Sequence, residues 1–210
     1  MDSAELRVFT AGLLRELGHE FVAKELPDET LRHLVDHLST LLNEMVSLPS
    51  RQRSLAGSSW EQFRRDLPEY QKDERKQLFA DSIVSGGSNP MGLGAHLWRD
   101  GEQAVMEVTL GKAFEGAPER AHGGVVAALI DETMGLVLAI HEALAFTVQL
   151  NISYLAPTPI NETLHARAWL QERDGRKLHM AAEVIAGDTT IATATSLFIS
   201  VDPNRFLARE

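Results

Sequence analysis

Leu6, Phe9, Leu13, Leu17 and Phe21 recur at three- and four-residue intervals. After the Pro27-Asp28 break, so do Leu31, Leu34, Val35, Leu38, Leu41, Leu42 and Met45. This spacing places each set on one face of an α-helix, so residues 1–48 are expected to form an N-terminal helical hairpin. The apolar period then lapses. Residues 49–82 carry Pro49, Pro68 and the run QKDERKQ, and they read as a charged connector, partly helical around Trp60 to Leu67.

From Gly92 on the period changes to two. GLGAHLWRD and QAVMEVTL flank Asp100-Gly101 as a hairpin. After the loop KAFEGAPERA, residues 122–142 form a run long enough for a helix that is apolar nearly all round, and such a helix is expected to be buried. FTVQLNISYLA, TLHARAWLQE, KLHMAAEVIA and TTIATATSLFIS then read as four strands, the last three a meander turning at Gly175 and Gly187. One buried helix beside about six strands predicts an α+β domain over 83–201, an antiparallel sheet curled around the helix. Residues 202–210 are left as a C-terminal tail.

Composition narrows the chemistry. The 210 residues include no cysteine, which removes disulfides, thiolate ligands and a cysteine nucleophile, and fits a reducing, cytoplasmic setting. A net charge of −10 argues against binding to nucleic acid or an anionic membrane. The apolar run VVAALI is too short to span a bilayer. No histidine pair at metal-ligand spacing stands out, since His141-Glu142 lacks a second histidine and His33 with His37 sits on the more polar side of its helix.

The chemistry concentrates in AHGGVVAALIDETMG, residues 121–135, where Asp131 interrupts an apolar helix. An uncompensated charge there costs several kcal/mol or shifts its pKa upward. Gly123 and Gly124 at the helix start are expected to leave backbone N–H groups free at the positive end of the dipole, a place for an oxyanion. The same glycines would also serve a sharp turn into the helix. Strand alternation sets Thr147 with Gln149 and Asn151, away from Phe146, Val148 and Leu150.

Asn89-Pro90 with Gly92-Leu93, His122-Gly123-Gly124, Asp131 nine residues after the histidine, and Thr147 opening the next strand together resemble the hotdog-fold acyl-CoA thioesterases of the PaaI type. The motif pattern is nearest the subgroup resembling human mitochondrial long-chain acyl-CoA thioesterases. Many relatives carry an asparagine just before the HGG, and FEGAPERA has none. The resemblance implies a hotdog fold and hydrolysis of an acyl-CoA or acyl-carrier thioester without cofactor or metal. It implies that Asp131, Gly123 and Thr147 are catalytic, with Asp131 as base or nucleophile, and that His122 and Gly124 lie at the substrate. A noncatalytic acyl-thioester binding module and an enoyl-thioester hydratase or dehydratase are the alternatives.

Seven residues of helix separate Gly124 from Asp131, roughly 10 Å of rise, so the acid does not easily reach a carbonyl held at its own helix start. A second chain with an antiparallel helix would supply it, which predicts a homodimer or homotetramer.

Overall fold

The computed structural model describes residues 1–51 and 80–202. The helix expected around Trp60 to Leu67 lies outside the described residues, as does the tail from residue 203. In chain order, α1 is Ser3–Ala23, α2 Asp28–Val46, β1 His96–Asp100 and β2 Gln103–Thr109. Then follow a single 3-10 turn at Lys112–Phe114, β3 Glu115–Ala117, β4 Arg120–Ala121 and α3 Gly123–Ile140. The chain closes with β5 Ala145–Tyr154, β6 Thr163–Asp174, β7 Lys177–Ala186 and β8 Thr189–Ser200.

Six strands form one antiparallel sheet in the order β1-β2-β6-β7-β8-β5, and β3 pairs β4 in a separate two-stranded ribbon. The three expected hairpin turns each hold a glycine in the left-handed region, Gly101 at φ +60, Gly175 at +55 and Gly187 at +55. Leu97, Met106, Leu164, Leu178, Met180 and Phe198 project from the sheet into one core with Val126, Leu129, Ile130, Met134 and Val137 of α3. By length and composition α3 would qualify as a membrane span, yet half of it is buried inside the protein.

That helix is not covered all round. Gly124 is exposed, and Ala128, Asp131 and Gly135 are half-buried. These residues follow one another at helical spacing along a single face, where small side chains and an acid replace the large apolar ones.

Both expected N-terminal helices are present. Asp2 caps α1 in a full capping box with Glu5. The helix then docks through small and polar residues. Ala11 is buried, Arg15 Nη1 donates to the carbonyls of Gly87 (3.1 Å) and Asn89 (2.7 Å), and His19 Nδ1 accepts the Ala113 N–H at 3.1 Å. The stripe Leu6, Phe9, Leu13, Leu17 and Phe21 is exposed in the single chain, and α2 buries no residue. The physical reason lies in the receiving surface, a belt of backbone carbonyls and N–H groups that only polar side chains satisfy.

Candidate active site

α3 begins at His122, whose backbone is extended while its ring does the capping: Nδ1 accepts the Gly124 N–H at 2.9 Å. Acceptance requires Nδ1 to be unprotonated. The His122 N–H donates to the Phe114 carbonyl at 2.8 Å, and its own carbonyl accepts from Val125 at 2.9 Å. His122 therefore supports the loop and the helix start. The ring fits because residue 116 is glycine: a Cβ there would lie 2.9 Å from His122 Cα and Cδ2.

Of the two N–H groups expected to be free, only one is. Gly124 has spent its donor on His122, because a histidine at the cap position reaches the second helical N–H. The Gly123 N–H has no partner among the described residues. It sits at the positive end of α3 beside a cleft of about 540 Å³ lined by residues 116–117, 120–123 and 154–158. Tyr154 closes over it. Its hydroxyl donates to the Gly123 carbonyl at 2.8 Å, and its ring stands 3.3 Å from where a Gly123 Cβ would be.

Asp131 lies two turns further along and does not line that cleft. Its Oδ1 accepts the Thr147 hydroxyl at 2.9 Å, leaving Oδ2 without a hydrogen bond from a described residue. Strict alternation groups Thr147 with Gln149 and Asn151, on the face opposite Leu150. Instead a β-bulge between Thr147 and Gln149 lets Thr147 pair with Phe198 while Gln149 pairs with Leu197. Phe198 belongs to the core, so Thr147 faces α3 on the same side as Leu150.

The motif's second acid is structural. Glu132 accepts the hydroxyls of Ser82 and Ser85 and the Ser85 N–H (3.0 Å), tying the segment before β1 to the back of α3. That segment holds the Asn89-Pro90…Gly92 motif as a turn, with the Gly92 N–H donating to the Asn89 carbonyl at 3.1 Å. Sequence reading missed Glu132, Gly116 and Tyr154. Of these, only Glu132 left a local signal, a second carboxylate in an apolar helix.

Beside the cleft, Lys112 Nζ pairs with Glu115 (2.9 Å) and Glu119 (2.6 Å). The hydrogen bonds that Lys112 donates to both carboxylates, Glu119 foremost, raise its pKa, and the Lys112 contact holds Glu115 below the usual carboxylate range. Of the more distant basic residues, Arg51 pairs with Asp81 and Arg176 donates to the Ser200 carbonyl. Among the described residues no three histidine or acidic side chains gather closely enough to hold a metal ion.

The chain thus assembles two half-sites. His122, Gly123, Gly124 and Tyr154 form one at the start of α3, Asp131 and Thr147 form the other, and both lie toward the same open face of one helix.

Residues 119–193 match the family model described as the thioesterase superfamily. Over 97 residues, 45% of this chain, the sequence is 38% identical to acyl-coenzyme A thioesterase THEM4 of Mus musculus, covering 42% of that protein. The corresponding protein of Bos taurus is 32% identical over 97 residues, 40% of its length. The chain therefore matches less than half the length of these curated relatives. In fold, it superposes on the crystal structure of a thioesterase superfamily protein with a TM-score of 0.76 and 21% identity, covering 92% of this chain and 90% of that one. Coverage of that extent takes in N-terminal helix as well as sheet. Residues 119–193 are thus similar to the thioesterase superfamily, and the six-stranded sheet around α3 is the hotdog fold that the chain shares with that solved protein.

Proposed function

We propose that the protein hydrolyses acyl-coenzyme A or acyl-carrier thioesters in the cytoplasm, as a homodimer with two equivalent sites. The observation that carries this reading is the division of groups along α3. An N–H without a partner among the described residues stands at Gly123 and a carboxylate at Asp131, eight residues on. That is about 12 Å of helix. An antiparallel α3 from a second chain, packed on the line Gly124, Ala128, Asp131 and Gly135, brings the partner's Asp131 to the first chain's Gly123. Small residues along that line let two helices approach closely.

The thioester carbonyl oxygen accepts the Gly123 N–H, which is aimed by Tyr154 and the His122 cap. With Thr147 holding Oδ1, the free Oδ2 of Asp131 faces the carbonyl carbon or a water beside it. As base, it takes a proton while water oxygen bonds to carbon. The tetrahedral oxyanion then collapses, the C–S bond breaks with its electron pair leaving on sulfur, and the proton passes to the thiolate. As nucleophile, Oδ2 bonds to carbon directly, thiolate departs, and water opens the resulting anhydride. A single turnover in ¹⁸O-water that leaves label in the Asp131 carboxylate identifies the nucleophilic path, since only water attack at the aspartyl carbonyl of the anhydride puts it there.

Asp131→Asn keeps the shape of the side chain and should slow thiol release at least about a hundredfold. Near wild-type turnover would sink the mechanism. For the shared site, the test mixes inactive Asp131→Asn protein with inactive Gly123→Leu protein after reversible dissociation. One intact site should return per heterodimer, and no recovery despite proven subunit exchange would assign each chain its own complete site.

A further inference from the structure

Arg120 is the one charged side chain among the described residues lining the Gly123 cleft. It is exposed, and no described hydrogen bond or ion pair engages its guanidinium. The adjacent acids are occupied: Glu115 and Glu119 both pair with Lys112, at 2.9 and 2.6 Å. Its backbone is held on two sides. Arg120 pairs with Ala117 across the β3–β4 ribbon and bridges Pro159 on the other side, and the next N–H, of Ala121, donates to the Thr158 carbonyl at 2.9 Å. A cation on a held backbone, without a partner among the described residues, thus stands in the cleft of a chain whose net charge is −10. The overall field repels anions, so a negatively charged ligand needs such a local group to be retained.

We infer that Arg120 binds a phosphoryl group on the carrier of the thioester. Three residues separate it from Gly123, so the two Cα atoms lie within about 11 Å of each other, and the extended side chain reaches further along the cleft. A thioester held by its carbonyl at Gly123 runs its pantetheine arm away from sulfur and ends in phosphate. The guanidinium fork matches phosphate oxygens with two parallel hydrogen bonds, which a neutral side chain cannot reproduce. Arg120 is thereby a specificity residue for phosphate-bearing thiols, and this role rests on the proposed thioester hydrolysis.

The test measures binding rather than turnover, so it stands apart from the Asp131 experiments. Full-length wild type, Arg120→Gln and Arg120→Lys are titrated calorimetrically with coenzyme A, 4′-phosphopantetheine and pantetheine. Arg120→Gln should weaken coenzyme A binding about tenfold, leave pantetheine affinity within about twofold, and flatten the decline of coenzyme A affinity with added salt. Arg120→Lys should restore part of the loss. An equal loss on phosphopantetheine identifies the arm's own phosphate as the group bound, and a loss confined to coenzyme A identifies the nucleotide phosphates. Unchanged coenzyme A affinity in Arg120→Gln, or an equal loss on pantetheine, overturns the inference. Loss of coenzyme A binding by Arg120→Gln in a protein that releases no thiol would instead overturn hydrolysis while leaving phosphate recognition in place.

Discussion

Gly116→Ala tests whether the floor under His122 sets the start of α3. The added methyl would lie 2.9 Å from His122 Cα and Cδ2 and 3.0 Å from Cβ. Because Cα is backbone, no rotamer change relieves the clash. Two costs follow. Overpacking a tight contact costs about 1–3 kcal/mol, and a ring pushed off the Gly124 N–H forfeits an N-cap worth about 1 kcal/mol. The sum is about 2–4 kcal/mol, which for a chain of this size lowers Tm by about 4–16 °C. Urea denaturation and scanning calorimetry read this directly, and His122→Asn provides the comparison, since asparagine caps well and should keep most of the stability. If Gly116→Ala cost under about 0.5 kcal/mol, the ring would not need that space, and the account of the helix start would be wrong.

Glu132→Ala should destabilise the fold by about 2–3 kcal/mol in chemical denaturation, because it leaves Ser82, Ser85 and the Ser85 N–H without their acceptor, whereas the adjacent Asp131→Asn should stay within about 1 kcal/mol. Similar losses at both positions would erase the distinction between them. Thr147→Val removes the donor to Asp131 at nearly constant volume and should reduce kcat for thiol release by about tenfold, less than Asp131→Asn; the reverse order would reassign the two roles. Burial and, to a lesser degree, the charge of Arg15 hold the His19 pKa below its ordinary 6.5. The unfolded chain then binds the extra proton first. Its stabilising contribution is therefore complete above pH 6.5 and declines as pH falls from there toward the lowered folded value. Denaturation midpoints between pH 8 and 5 should fall more steeply for wild type than for His19→Gln, and parallel profiles would refute the assignment.

What the sequence makes legible is periodic or local. Alternation with a glycine at each turn finds β1–β2 and the β6–β7–β8 meander, and an apolar run broken by Asp131 finds α3. The orientation of Thr147 escapes the same rule because one extra residue in β5 reverses the face of everything before it, and nothing in FTVQLN announces a bulge. Gly116 and Tyr154 act only through contacts that exist once the chain has folded, the tyrosine from 31 residues beyond Gly123. For the N-terminal helices, the apolar spacing reads the helices themselves but not the polar face through which α1 meets the rest of the chain. Helical spacing identifies a side, and the carbonyl-rich surface at Gly87 and Asn89 decides which side is received.

α3 also works as a ruler. Between Gly123 and Asp131 the spacing is set by residue count alone, at 1.5 Å and 100° per residue. One inserted residue would swing Asp131 a quarter turn away from its face. Deleting one would do the same in the other direction. The ribbon around Glu119 and the loop at residues 155–162 lie outside this interval, so their lengths can change without altering the separation. Insertions or deletions around the cleft can therefore remodel what it admits, while the stretch from residue 123 to 131 tolerates change only by substitution.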